Sequence, residues 1–406
     1  MNASCKKVLA ASVFFAFALA SLSTGAAGEG AWASTVSKAR GQRLFWNAWG
    51  GDDRINAYIA WAARTVQGQF GIEVRHVKLT DTVEAVTRVL AEKAAGKNDR
   101  GSVDLIWING ENFAAMKQHG LLYGPFTHKL PNFSLVDTNT KPTLTDFTVP
   151  VEGFEAPWSM AQLVFLYDTA RLPNPPRTPR ALLTWANAYP GRFTYPQPPD
   201  FLGTTFLKQM ILSLVTNTAA LSAPASESFS AEVTKPLWEY LDALHPTMWR
   251  QGRAFPSSGP AQIRSLGDGE IDIALSFSPE AASLAILTGQ LPTSVRTFVF
   301  DGGTIGNASF LAIPFNSGAK EGAMVFINFL LSPAAQARKQ DPRELGSLTV
   351  LAMDKLTAAD RARFENLPRG PATLSSTDLG KPLAEPHPIW MERLEKEWLK
   401  RYGAGR

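Results

Sequence analysis

Tryptophan, glycine and carboxylate occur together at two places in this chain, a combination that suits binding rather than bond-breaking. In FWNAWGGDD (45–53) an apolar run carries Trp46 and Trp49, Gly50–Gly51 turns the chain, and Asp52 and Asp53 follow. In VDLIWINGENF (103–113) an apolar run carries Trp107, Asn109–Gly110 turns the chain, and Glu111 and Asn112 follow. An indole face attracts flat and cationic ligands by stacking and through its quadrupole. A carboxylate beside it in a desolvated cleft adds a charge pair that weighs more than the same pair on the surface. Trp49 is read as the platform. Trp46, on the opposite face of its run, and Trp107, inside its run, are read as core. For Asp52 and Glu111 complementarity to a helix dipole is the equally ordinary alternative.

The residue patterns of catalysis are missing. Cys5 is the one cysteine, the five histidines (His76, His119, His128, His245, His387) are dispersed, and neither G-x-S-x-G nor H-E-x-x-H occurs. Ser317–Lys320 matches a bare S-x-x-K at a helix start, where capping explains the serine. The chain is therefore expected to be no enzyme, with no cofactor and no metal site. A secreted hydrolase working through two cleft carboxylates is the rival from another class.

These groups need elements to hold them, and the chain alternates strand and helix from Arg43 onward. RLFWNAW (43–49), GIEVRHVKL (71–79) and VDLIWI (103–108) read as strands. Ile55, Tyr58, Ile59, Ala62 and Val66 form a helical stripe over 52–68. Asp81 with Glu84 forms a capping box for the next helix. Two strands thus end alike, and ligands of open α/β sheets bind beyond the carboxyl ends of strands. A loop-rich stretch (121–150) precedes FEAPWSMAQLVFLYDT, an extended crossover that carries Trp158 and leads into the proline-rich RLPNPPRTPR. Further on come helices over 180–188, from near Gly203, and over 229–245, and a short strand at RFTY (192–195). Asp200 precedes the helix at Gly203, where cap and ligand contact are both open. Ser276, Ser278 and Glu280 lie just past the strand of EIDIALSF, again with capping as the alternative. The chain returns extended through 295–315 to a helix at 320–331, and 387–401 is a final amphipathic helix.

With 406 residues and 45% hydrophobic content, the chain exceeds what one core normally serves, so two domains are expected. Residues 1–33 read as an export signal, with Lys6 and Lys7 before VLAASVFFAFALASL. Its removal leaves no cysteine, which fits a bacterial periplasmic protein. A net charge of +4 with only scattered basic pairs argues against nucleic-acid binding.

Several segments together resemble the periplasmic solute-binding proteins of ABC importers: FWNAWGG (45–51), VDLIWINGENF (103–113), LVFLYDTARLPNPPRTPRAL (163–182), LGDGEIDIALSF (266–277) and INFLLSPAAQ (327–336). Within them the chain looks most like the YnjB-like group associated with thiamine transport. It is more distantly similar to binding proteins for thiamine, polyamines and ferric iron. The iron binders use neighbouring tyrosines, and the seven tyrosines here include no adjacent pair. The resemblance implies an α/β fold of two lobes, each a mixed sheet flanked by helices, joined by two crossover strands. It places lobe one at 34–165 plus 305–406 and lobe two at 166–304. It implies a small organic ligand in the cleft, thiamine or a related aromatic cation, with a polyamine as the alternative. It implies hinge closure and delivery to an ABC permease in the inner membrane by a monomeric binding protein. Its cleft positions fall on Trp49, Asp52, Asn109, Glu111, Asn112 and Trp158, and in the second lobe on Asp200, Thr204, Ser276, Ser278 and Glu280.

Overall fold

Two hydrophobic cores, each wrapped around its own sheet, organise the chain in a computed structural model that describes residues 30–224 and 226–403. The expected export signal lies outside the described residues except for 30–33, which open a helix, α1, over 30–39. In the first lobe, strands β1 (Arg43–Trp49), β2 (Glu73–Leu79) and β3 (Leu105–Ile108) run parallel, with β1 central to the three. Helix α2 (Asp53–Phe70) buries Tyr58, Ile59, Ala62 and Val66, the stripe expected from spacing. Each large side chain so buried contributes about 1.5–3 kcal/mol. α3 (Val83–Ala94) and α4 (Gly110–Gln118) follow β2 and β3. Glu84 accepts the N–H of Asp81 at 3.0 Å, one half of the expected capping box, while the Asp81 side chain accepts Val83 N (2.9 Å) in place of Glu84 N.

The loop-rich stretch contains 3-10 turns and a two-stranded hairpin, β4 (Thr145–Asp146) and β5 (Val149–Pro150). Its tip, Phe147–Thr148, has positive φ at both residues (49° and 135°), with no glycine or asparagine to ease it. β6 (Glu155–Gln162) then completes the first sheet, in the order β2-β1-β3-β10-β6, with β10 (Gly306–Ala312) antiparallel to both neighbours.

β6 continues directly into β7 (Val164–Asp168), which lies between β8 (Ile273–Ser276) and β9 (Val295–Phe298) in the antiparallel sheet of the second lobe. α5 (Pro179–Ala188), α6 (Phe201–Leu214), α7 (Glu227–Leu244), α8 (Gly259–Gly267) and α9 (Ala281–Leu287) surround that sheet. The segment expected as a strand at RFTY makes only one bridge, Phe193 to Ile273. Its carbonyls are taken instead by Trp249 N–H and the Gln262 amide. With β10 the chain is back in the first lobe, where α10 (Lys320–Leu330), α11 (Pro333–Gln340) and α12 (Ala358–Glu365) follow. Ser332 caps α11, with proline at its first position.

The C-terminal assignment needs correction. After α12 the chain crosses once more, through α13 (Ser376–Leu379), to α14 (Pro388–Tyr402). α14 buries Trp390, Leu394 and Trp398 in the second lobe's core, with Trp398 Nε1 donating to Tyr195 Oη at 2.8 Å. Periodicity showed that this helix has an apolar face but not which lobe would receive it. The crossing segments pack tightly: Leu163 N donates to Ile305 O at 2.7 Å, and Leu383 N to Thr304 O at 2.8 Å. A Cβ on Gly306 would lie 2.8 Å from Ala161 O, so only glycine fits that crossing.

Candidate ligand-binding crevice

The first lobe contributes the tips of its parallel strands. β1 ends at Trp49 and β3 at Ile108, side by side in register. Trp49 is 42% exposed, and its indole lies over Gly51, where a Cβ would come within 2.4 Å of the ring. Asp52 is the N-cap of α2. Its Oδ1 accepts the N–H of Arg54 at 2.8 Å and of Ile55 at 3.1 Å, a role worth about 1 kcal/mol. Asn109 Nδ2 donates to Ala308 O at 2.6 Å, tying the β3 tip to β10. Gly110 N donates to Asp146 Oδ2 at 2.6 Å, and a Cβ there would meet the Phe147 ring at 2.7 Å. The missing side chain at Gly110 is what lets the strained hairpin tip reach the start of α4.

Glu111 accepts from Asn112 Nδ2 at 3.0 Å and stays open to solvent, although protein surrounds it on most sides. That enclosure strips hydration and raises its carboxyl above the usual range, with Asp81 and Glu395 adding to the effect and Lys208 opposing it. An accessible group ringed by protein is what the floor of a crevice provides.

The second lobe faces it with α6 and α14. Asp200 caps α6 through Leu202 N (2.9 Å) and Gly203 N (3.4 Å). Thr204 Oγ1 donates to Glu395 Oε1 at 2.7 Å. Lys208 is 1% exposed and lies 2.8 Å from Glu385, itself 4% exposed, while Asn307 Nδ2 holds the other Glu385 oxygen at 3.0 Å. The Lys208 ammonium also sits 4.7 Å from the centre of the Phe147 ring, across the lobe boundary, and 5.7 Å from that of Phe201. Phe201 meets Phe277 edge-on at 5.0 Å. Ser276 and Ser278 flank Phe277, joined by Ser278 N to Ser276 Oγ at 3.1 Å.

Behind the hairpin two buried carboxylates face the same region. Desolvation pushes Asp146 well above its usual range, helped by the charges of Glu111 and Glu385. Glu155 is pushed up in the same way, by burial first and Asp146 second. Neither Glu155 oxygen, nor Oδ1 of Asp146, has a hydrogen-bond donor among the described residues.

The structure thus gathers Asn109, Glu111 and Asn112 opposite Asp200 and Thr204, with Ser276 and Ser278 at the far end of the phenylalanine row. Trp49 and Asp52 stand at the neighbouring strand tip. Glu280 belongs to a separate inter-lobe contact, where its carboxylate accepts from Thr373 Oγ1 and its stem packs on Gly346. Trp158 is a correction: it is 2% exposed and packs edge-on against Trp46 (5.6 Å) and Trp107 (5.0 Å). An indole enclosed in this way is core and has no face for a ligand. Ser317, the serine of the bare S-x-x-K, donates to Asp104 Oδ1 at 2.8 Å and accepts Ala319 N, a purely structural pairing.

Lys208, Phe147, Phe201, Phe277, Glu385 and Asp146 were not foreseen. One signal was available: Lys208 is the sole charge in FLGTTFLKQMILSL. A concavity of about 590 Å³ lies behind the crevice beside Arg177, Ser213 and Phe300, with Glu385 at its edge.

The chain matches the family described as bacterial extracellular solute-binding protein over residues 61–347. It is 44% identical to protein YnjB of Escherichia coli (strain K12) over 372 residues, 92% of this chain and 94% of that one. Among solved structures it is similar to the periplasmic binding protein AfuA of Actinobacillus pleuropneumoniae, with fructose-6-phosphate bound. The TM-score is 0.60 at 15% identity, covering 90% of this chain and 99% of AfuA. It is similar also to the spermidine/putrescine substrate-binding protein PotD of Streptococcus pneumoniae, with a TM-score of 0.61 at 16% identity, covering 89% and 99%. At these identities the solved structures speak for the two-lobed fold alone. No helix among the described residues is long and apolar enough to cross a membrane.

Proposed function

The chain belongs to the bacterial extracellular solute-binding proteins, and from that premise we propose that it captures a small organic cation, thiamine or a related aromatic cation, between its lobes. The class makes it a transport component rather than an enzyme. The proposed sequence is capture in the periplasm, hinge closure, and delivery by the monomer to an ABC permease in the inner membrane.

One observation carries the ligand class. Glu111, Glu385 and Glu395 gather where Lys208 is the facing cation, and phenyl rings line the same crevice. Such a surplus of carboxylate in a partly dehydrated site is relieved by a ligand of positive charge. Trp49 supplies an open indole at the adjoining strand tip for an aromatic ring. A polyamine is the second reading, supported by the way the crevice already holds one primary ammonium, that of Lys208, between a carboxylate and two rings.

A thermal-shift screen across thiamine, its phosphates, putrescine, spermidine, sugars, amino acids and anions tests both. A ligand at about a hundred times its Kd adds roughly 2.7 kcal/mol of stability. A shift with a sugar or an anion and none with any cation overturns the ligand class.

A further inference from the structure

Lys208 sits in the environment that recognises a guest ammonium. Its Nζ is 2.8 Å from Glu385, 4.7 Å from the centre of the Phe147 ring and 5.7 Å from that of Phe201. Both rings are within cation–π range. The parts of this cage come from both lobes and from different crossings. Phe147 belongs to the strained hairpin of the first lobe, and Phe201 opens α6 of the second. Glu385 lies on the last crossing and is oriented by Asn307 of β10. Glu385 and Lys208 are both more than nine-tenths buried. The pair is in contact without hydrogen-bond alignment, and Lys208 Nζ has no hydrogen-bonding acceptor among the described residues. Lys208 also hangs from a flexible four-carbon stem, which permits the head to leave while the helix stays.

We propose that Phe147, Phe201 and Glu385 form a recognition site for an alkylammonium group, that Lys208 is its tethered occupant, and that a cationic ligand binds by exchanging with the Lys208 head. The chemical class is a primary or small substituted ammonium on a carbon chain or ring. The inference rests on the crevice being the binding site, and it adds a specificity rule. A ligand without a cationic group able to stand in for the lysine gains nothing from displacing it. A ligand with one restores the carboxylate and ring contacts that the lysine gives up. Bound guest and resident lysine hold the lobes together through the same three side chains, so exchange need not open that contact permanently.

The test uses n-butylammonium as probe and n-butanol as its uncharged control. In the full chain carrying Lys208→Met, n-butylammonium is expected to bind at least about tenfold more tightly than in the unaltered protein, with n-butanol without effect. In the unaltered protein, side-chain NMR of Lys208 is expected to show its ammonium passing into solvent as n-butylammonium is titrated. Equal affinity in the two proteins, or a Lys208 signal unmoved at every concentration that leaves the protein folded, overturns the proposal. The NMR measurement decides if Lys208→Met does not fold. Binding of thiamine or putrescine with Lys208 unmoved would sink the exchange and leave the proposed function standing. Exchange with n-butylammonium and no shift with thiamine or any polyamine would do the reverse.

Discussion

Lys208, between the lobes, and Lys339, inside the first lobe, are equally buried yet keep different company. Lys208 faces a carboxylate and two rings that belong to different parts of the chain. Lys339 has a backbone partner: its Nζ donates to the Trp158 carbonyl and to Gln336 Oε1, and it lies over the Trp158 ring. With no carboxylate to offset dehydration, and with Lys141 nearby, Lys339 is pushed well below the usual lysine range. The same side chain is therefore fixed masonry in one region and an exchangeable contact in the other. The difference comes from the partner. A backbone carbonyl moves only with its strand, whereas Glu385 and Phe147 sit on segments that cross or meet between lobes.

The strongest test of that contrast is on the core side. Trp158→Ala removes an indole enclosed by Trp46, Trp107 and Tyr58, and is expected to cost about 3–5 kcal/mol in urea unfolding. A loss below about 1 kcal/mol would mean that Trp158 is not core. Next comes Lys208→Met, which leaves Glu385 buried without its cation and is expected to cost about 3 kcal/mol. Adding Glu385→Gln should return most of that loss. If the double variant is no more stable than the single one, the ion pair is not the source.

Smaller, and opposite in sign, is Glu155→Gln. Asp146 and Glu155 stand above their ordinary values of 3.8 and 4.5, so the folded chain keeps protons that the unfolded chain has released. Stability from this pair is thus full below about pH 4 and is lost as pH climbs through the folded values. Glu155→Gln should raise stability at neutral pH and leave it unchanged below about pH 4. Parallel stability-against-pH curves for the two proteins would contradict it. Smallest in stability is Trp49→Ala, within about 0.5 kcal/mol, because the indole is exposed. Binding of the aromatic cation should nonetheless fall at least about tenfold by calorimetry. Unchanged affinity would remove Trp49 from the site.

Local signals in the chain were read well because their causes are local. The cap at Asp200, the contact of Glu84 with Asp81 and the buried stripe of α2 follow from residues within a turn or two of one another. Trp158 misled because an indole at a crossover looks the same in sequence whether it faces solvent or Trp46. Lys208 and Glu385 are far apart in the chain, and nothing near Glu385 announces its partner. The hairpin that carries Phe147 was hidden in a stretch without periodicity, since its turn uses residues that ordinarily avoid positive φ. What joins distant segments was thus the unreadable part, and the crevice is made of such joins.

A growing polypeptide meets the placement of α14 as a deadline. Two of the indoles around which the second lobe condenses, and the acid that receives the Thr204 hydroxyl, arrive only with the final fifteen-residue helix. That half can therefore settle only once the chain has been made through α14. Removing a few turns of α14 would disable the opposite wall of the trap, because that helix carries part of the second lobe's core.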